Sequence, residues 1–445
     1  MGDIVIIGGV AAGMSAAAKL RRIDQSANIT VFEKGDFISY GACGLPYFIA
    51  DITKSYEAML MRSVADFKKQ RIDVCLRHEV LRVFPQDRNV FVRDLEHGRT
   101  KIVHYDKLLI ATGASPIKPP FVKEHLANVF TLKTIPDGIA MKTFFQNPSI
   151  RDVTIIGAGY IGMELVEAMA ELGKNIRVIE LQPQILPPLD AEMAEIVAQS
   201  LRERGIAIQT NEKVVELIEK NSAVTHVVTD KATYATDAVI ANIGVKPNTD
   251  FLKNSGIRLW ENGAVLTNEY METNIPDIYG AGDCATSHHL VLHRPVHIAL
   301  GTIANKQGRL AGENMAGVRR AFPGVLGTSV AKILQWTVAK TGISEREAIK
   351  YGLAYKTVTV NTASHAGYYP DPRPIFIKLV YQPASRILLG AQMVGTGGVD
   401  KRIDVFAAAI TNRMSTDDIG LLDLAYAPPY ATVWDAVSVA ANAAK

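Results

Sequence analysis

The sequence predicts an α/β protein with two strand–turn–helix–strand units, followed by a smaller α+β domain. Three observations carry this. An apolar strand, Ile4–Ile7, runs into Gly8-Gly9-Val10-Ala11-Ala12-Gly13 and then a small-residue helix. The same pattern recurs at Val153–Ile156, with Gly157-Ala158-Gly159-Tyr160-Ile161-Gly162 after it. Beyond Phe322-Pro323-Gly324, strand-like runs precede a helix without the glycine turn.

Each early unit reads as Rossmann-like and dinucleotide-binding. Gly8 permits the tight turn, and Gly13 lets helix and strand pack closely, so that the helix N-terminus faces a pyrophosphate. Glu33 ends the next strand twenty residues beyond Gly13, where a carboxylate accepts hydrogen bonds from a ribose. Val10 departs from the middle glycine of the pattern. The second unit matches G-x-G-x-x-G fully, and Glu180 ends its second strand. Glu180 repels a 2′-phosphate, and no arginine stands in Leu181-Gln182-Pro183, so NADH is favoured over NADPH. The alternative for Glu180 is a solvated strand end.

Ser39-Tyr40-Gly41-Ala42-Cys43-Gly44-Leu45-Pro46 is the second chemical signal. Pro46 suits a first helical turn, which puts Cys43 at or just before a helix N-terminus. There the macrodipole favours a thiolate. The alternative is a small buried thiol in a turn. Only Cys75 and Cys284 accompany Cys43, too few for a disulfide framework, and this suits a reducing compartment.

The remaining segments follow in order. Val80–Phe84 and Asn89–Arg93 suggest a hairpin, and Leu108–Ala114 a buried strand before the prolines 116, 119 and 120. Asp237–Gly244 is a strand with a glycine end and His297–Met315 a long helix, while Ile275–Asp283 is a short strand ending at an acid, whose neighbouring glycines let it approach a ligand; the alternative is a turn Asp283 satisfying its own backbone. Cys284 reads as packing. The C-terminal strands are expected at Lys332–Val338, Tyr355–Asn361, Ile375–Tyr381 and Arg386–Val394, with a helix at 398–411. His288, His289, His293 and His297 lack a convincing ligand pattern, so no metal is expected. Tyr368, Tyr369, Tyr426, Tyr430 and Trp434 lie in glycine and proline loops, as interface anchors do.

The 445 residues imply two to four domains. A net charge of +3 argues against a nucleic-acid partner, and no run of about eighteen apolar residues suggests a membrane span. The opening strand is not preceded by a basic leader, and the expected location is cytoplasmic.

Together, GGVAAG with Glu33, SYGACGLP, ATGASP, GAGYIG with Glu180, GAGDCA and YAPPY resemble the flavoprotein disulfide reductases of the single-cysteine branch. The resemblance is nearest to coenzyme A disulfide reductases. The NADH oxidase and peroxidase group usually has a histidine in the first glycine turn, where this chain has Ala11. The resemblance implies a glutathione-reductase-like fold. A discontinuous FAD-binding domain spans 1–115 and 245–320, an NAD(P)H-binding domain 116–244, and a dimerisation domain 325–445, in a homodimer.

By the same resemblance, FAD is held by Gly8, Gly9, Ala11, Ala12, Gly13, Glu33, Lys34, Ala111, Thr112, Gly113, Gly282 and Asp283. NAD(P)H is held by Gly157, Gly159, Tyr160, Ile161, Gly162, Glu164, Glu180 and Gly244. Coenzyme A meets Ser15, Lys19, Arg22, Ser39, Ala42, Arg71, Asn305 and Trp434, with Ala42 departing from the asparagine usual beside the cysteine. The implied reaction is FAD-dependent reduction of coenzyme A disulfide by NAD(P)H through a Cys43–coenzyme A mixed disulfide, with Tyr368 and Tyr426 at the departing sulfur. Alternatives are an NADH oxidase or peroxidase cycling a Cys43 sulfenic acid, a coenzyme A-dependent persulfide or polysulfide reductase, and a redox-sensing flavoprotein.

Overall fold

A computed structural model describes residues 2–445. Two five-stranded parallel sheets form first. One is ordered Ile278–Gly280, Lys107–Ile110, Asp3–Ile7, Asn28–Phe32, Ile72–Cys75. The other is ordered Ala207–Gln209, Asn175–Ile179, Asp152–Ile156, Ala238–Ala241, Val129–Phe130. In both, the strand leading to the glycine turn is central and buried almost end to end, as expected of a sheet covered on both faces. The last strand of the first sheet comes from beyond the second sheet. The chain leaves and returns through Ala114–Pro116 and Val245–Pro247, which pair antiparallel.

Helix Gly301–Met315 lies along helix Ala11–Ile23 with the backbones touching. A Cβ on Gly308 would sit 2.1 Å from the Ala12 carbonyl oxygen, and one on Gly312 2.5 Å from that of Ala16. Only glycine permits this approach, and it sets Asn305 and Glu313 opposite Ser15 and Lys19. The helix begins at Gly301, not His297: the His297 ring is held by the Asp283 backbone carbonyl at 2.8 Å, Leu300 N–H bonds the Ile298 carbonyl at 3.1 Å in a tight turn, and Leu300 itself is extended.

The C-terminal domain is an antiparallel sheet ordered Ser329–Ile333, Trp336–Gly342, Leu388–Gly395, Pro374–Tyr381, Lys356–Ala363. Helices Val399–Thr411 and Ala436–Ala443 cover it. The single strand expected at Lys332–Val338 is two strands of a hairpin. Leu334 turns the chain with φ +53°, and no glycine or proline marks the place. The expected hairpin at Val80–Phe84 gains a third strand, Thr100–His104.

Helix Leu45–Ile49 sits where all three domains meet. Leu45, Phe48 and Ile49 share one core with Val153, Ile155 and Met163 of the second unit and with Ile333, Val338 and Val394 of the C-terminal sheet. A buried ion cluster also joins those two regions. Lys378 bonds Glu192 and lies 3.1 Å from Asp190 and 2.6 Å from Glu345, while Gln392 donates to Asp190 at 2.6 Å.

Candidate functional site

The two glycine turns are built alike. Gly8 has φ +107° and Gly157 +96°, and a Cβ on them would meet the carbonyl oxygens of Ala111 at 2.2 Å and Asn242 at 2.3 Å. A Cβ on Gly13 would lie 1.9 Å from the Gly8 oxygen, and one on Gly162 2.1 Å from that of Gly157. Helices Ala11–Ile23 and Tyr160–Glu171 begin without a side-chain cap, leaving their first N–H groups for an anionic ligand. Glu33 accepts from Gly9 N–H at 2.6 Å and Gly35 N–H at 2.7 Å. Glu180 accepts from Ala158 N–H at 2.7 Å and Gln182 N–H at 2.8 Å, and is buried rather than a solvated strand end.

Around the first turn, Ala11 and Ala12 open the helix, and Ala111 N–H bonds Ile7 at 2.8 Å. Thr112 donates to the Asn248 carbonyl at 2.7 Å, Gly113 has φ +67°, and Gly282 N–H donates to Gln307 at 2.8 Å. Lys34 is exposed and paired with Glu79 at 2.7 Å. Asp283 does not satisfy its own turn. Its carboxylate takes Lys133 Nζ at 2.8 Å, and Lys133 is a residue the sequence reading missed.

Around the second turn, Gly159 precedes the helix and Ile161 is exposed. The Tyr160 hydroxyl accepts from Ser329 at 3.0 Å, and burial pushes its pKa up. Gly244 has φ +114° and accepts from Ile117 N–H at 2.9 Å. Asn242 was also missed. Its side-chain Nδ2 is buried without a hydrogen-bond partner beside this turn.

Cys43 lies in a short turn, Ala42–Gly44, that runs directly into helix Leu45–Ile49, with Pro46 in its first turn. Ser39 N–H bonds the Gly9 carbonyl at 2.9 Å, which ties the cysteine loop to the first glycine turn. Cys43 is exposed as a residue. Its thiol pKa is nevertheless raised by desolvation, then by Glu164 and Asp283, with Lys133 opposing. Burial and these two carboxylates thus oppose the thiolate that the helix N-terminus is expected to favour. Glu164 is pushed up to about 7 by desolvation and by Glu167 one turn on.

The remaining residues divide between two surfaces. Ser15 donates to Asn305 at 2.7 Å, Lys19 pairs with Glu313 at 3.0 Å, and Arg71 donates to Gln25 at 3.1 Å. Arg22 is exposed, and Ser39 and Ala42 are half-buried. On the C-terminal domain, the Tyr368 and Tyr426 hydroxyls share a 2.6 Å hydrogen bond and Trp434 is exposed. No hydrogen bond joins either tyrosine to the Cys43 loop within the described residues of one chain.

Residues 2–308 match the model of the pyridine nucleotide-disulphide oxidoreductases, and residues 328–437 that of their dimerisation domain. The chain belongs to this family. It is 38% identical to the NAD(P)H sulfur oxidoreductase (CoA-dependent) of Pyrococcus furiosus, over 99% of both chains. It is 32% identical to the coenzyme A disulfide reductase of Staphylococcus haemolyticus, over 99% of this chain and 98% of that one. The structure of reduced Bacillus anthracis CoADR-RHD superposes with a TM-score of 0.96 at 34% identity, covering 99% of this chain and 80% of that one. The chain is thus a flavoprotein oxidoreductase whose cofactors are FAD and NAD(P)H. The residues fit both: each uncapped helix start, crowded glycine turn and strand-end carboxylate forms a cradle that a larger side chain would fill. No helix among the described residues is long and apolar enough to cross a membrane.

Proposed function

We propose that the protein reduces coenzyme A disulfide, or a persulfide carried on coenzyme A, through a mixed disulfide on Cys43. One observation carries the reading: Cys43 has no partner sulfur. Cys75 is half-buried in a strand and Cys284 is fully buried, its Sγ 3.3 Å from the Ala281 carbonyl. The second sulfur of the redox pair must come with the substrate.

The Cys43 thiolate attacks one substrate sulfur, forming Cys43–S–S–coenzyme A and releasing the first thiolate. Held by the first glycine turn and Glu33, FAD would supply the path by which the electron pair of NAD(P)H reaches the cysteine. Two electrons break the mixed disulfide, regenerate the Cys43 thiolate and release the second coenzyme A; of the two protons that the two free thiols need, one is equivalent to that of the NAD(P)H hydride and solvent supplies the other. Lys133, the one favourable cation among the groups that shift Cys43, steadies the thiolate. Glu33 and the first turn are assigned to FAD. Glu180, Tyr160 and Glu164 are assigned to NADH, with NADPH disfavoured by the Glu180 carboxylate.

Arg22, Lys19 and Arg71 supply positive charge for the coenzyme A phosphates, beside Ser15, Asn305, Ser39 and Ala42. Lys19 is held by Glu313, whereas Arg22 and Arg71 are exposed and have no carboxylate partner among the described residues. Tyr368, Tyr426 and Trp434 are exposed on the dimerisation domain, so a second copy of the chain in a homodimer is the means of bringing them to Cys43. A cytoplasmic location suits the free thiols. The persulfide form of the reading is supported by the likeness to the CoA-dependent NAD(P)H sulfur oxidoreductase of Pyrococcus furiosus.

Mass spectrometry tests this directly. After exposure to coenzyme A disulfide, a reductant-labile adduct of coenzyme A mass on Cys43 is expected. An unmodified Cys43 under the same conditions contradicts the proposal.

A further inference from the structure

Resting on the reading that Tyr368 and Tyr426 act at the departing sulfur, the structure points to a residue that sets them in place. The two tyrosines come from separate loops, 58 residues apart in sequence. Both rings are exposed, so their own packing does little to fix the hydroxyl pair. The loops meet below the rings, where Ala366 N–H bonds the Pro428 carbonyl at 3.3 Å. One side chain reaches both: Arg402, from helix Val399–Thr411.

The Arg402 guanidinium is buried, and its donors are spent on fixed acceptors. Nε donates to the Asp435 carboxylate at 2.9 Å. Nη1 donates to the Gly398 carbonyl at 3.1 Å. Nη2 donates to the Ser364 carbonyl and the Tyr430 carbonyl, each at 3.0 Å. Ser364 opens the Tyr368 loop, and Tyr430 closes the Tyr426 loop. Asp435 in turn caps the C-terminal helix by accepting from Val437 N–H at 2.9 Å. Room for the fork is provided at Gly398, which has φ +72° and whose added Cβ would fall 2.1 Å from Nη1. A planar group with donors in several directions meets these acceptors at once, whereas a lysine ammonium presents one point.

We propose that Arg402 is a positioning residue for the tyrosine pair: it locks the two loops in the register that lets Tyr368 and Tyr426 share a hydrogen bond, and so controls the sulfur-exchange step while leaving electron entry alone. A small misplacement of such a pair is enough to slow exchange, since errors of about 1 Å in a reacting constellation cost up to roughly a hundredfold.

The test is a double-mutant cycle on the flavin-loaded enzyme, with R402K, Y426F, Y368F and R402K/Y426F. Turnover is measured with coenzyme A disulfide, and separately with ferricyanide, which takes electrons without the cysteine. R402K is expected to lower kcat for coenzyme A disulfide about tenfold, with KM for NADH and the ferricyanide rate unchanged. The double variant is expected to be no slower than Y426F alone. Losses that multiply in the double variant, or a matching fall with ferricyanide, overturn the proposal. If Y368F and Y426F both turn over at the wild-type rate, the tyrosine reading itself is wrong and the proposal falls with it. If they slow while R402K does not, only the Arg402 assignment fails. Should R402K not fold, D435N removes the counter-ion while keeping a capping side chain, and the same cycle applies with the same outcomes.

Discussion

The two glycine turns share their chemistry but differ in how they are closed. At the first, the cysteine loop bonds Gly9, helix Gly301–Met315 presses backbone to backbone on the following helix, and a Cβ on Gly9 would strike Ile38 at 2.7 Å. At the second, Ile161 stands where the first turn has the buried Ala12, and it faces solvent. A closed cradle suits a cofactor that stays, and an open one suits a nucleotide that arrives, reacts and leaves. On the proposed assignment, the same local motif is divided by its surroundings into a resident site and an exchanging site.

The largest expected effect breaks the two apart. Gly13→Val and Gly162→Val each force a side chain onto a backbone carbonyl, at 1.9 and 2.1 Å for the first carbon alone. Gly13→Val is expected to purify without flavin. Gly162→Val is expected to keep its yellow colour and lose reduction by NADH, by roughly two orders of magnitude in kcat/KM. Visible spectra before and after NADH distinguish them, and equal flavin loss in both would erase the comparison.

The second unit's anchoring is also different, resting partly on the buried Lys378 cluster. Lys378→Met leaves Asp190 buried without its cation and is expected to cost about 3–5 kcal/mol of stability. Denaturant unfolding checks this, with flavin content per folded molecule unchanged.

A smaller effect is expected at the surface. Arg22→Glu should raise KM for coenzyme A disulfide about tenfold, or some 1.4 kcal/mol, with little change for a small neutral disulfide. Equal changes for both substrates would remove Arg22 from phosphate binding.

The smallest concerns Cys43 and pH. Glu164, at about 7, is ionised above neutrality, and its charge then raises the Cys43 pKa. Glu164→Gln removes that charge, so Cys43 gains thiolate and its alkylation by iodoacetamide is expected to quicken a few-fold at pH 8. At pH 6, where native Glu164 is largely neutral, the two proteins should react alike. A difference that persists unchanged at pH 6 would contradict the assignment.

The sequence was legible where chemistry imposes spacing. Both glycine turns, their acids and the cysteine at a helix start are fixed by what a phosphate or a nucleophile needs, and each lies where its pattern indicated. It was less legible where packing decides. The turn at Leu334 is hidden in an apolar run, because both strands of that hairpin lend residues to the core. Lys133 and Asn242 carry no motif, and only the fold brings them beside Asp283 and Gly157. The groups that oppose the Cys43 thiolate are hidden for the same reason: Glu164 is distant in sequence, and desolvation is not visible in a local pattern. Arg402 looks like one more charge on an amphipathic helix until both tyrosine loops are seen to end on it.

The most direct measurement is stopped-flow and steady-state kinetics of Cys43→Ser loaded with FAD. The account predicts flavin reduced by NADH at close to the wild-type rate, with no turnover of coenzyme A disulfide. Sustained turnover of that disulfide by the serine variant would contradict it.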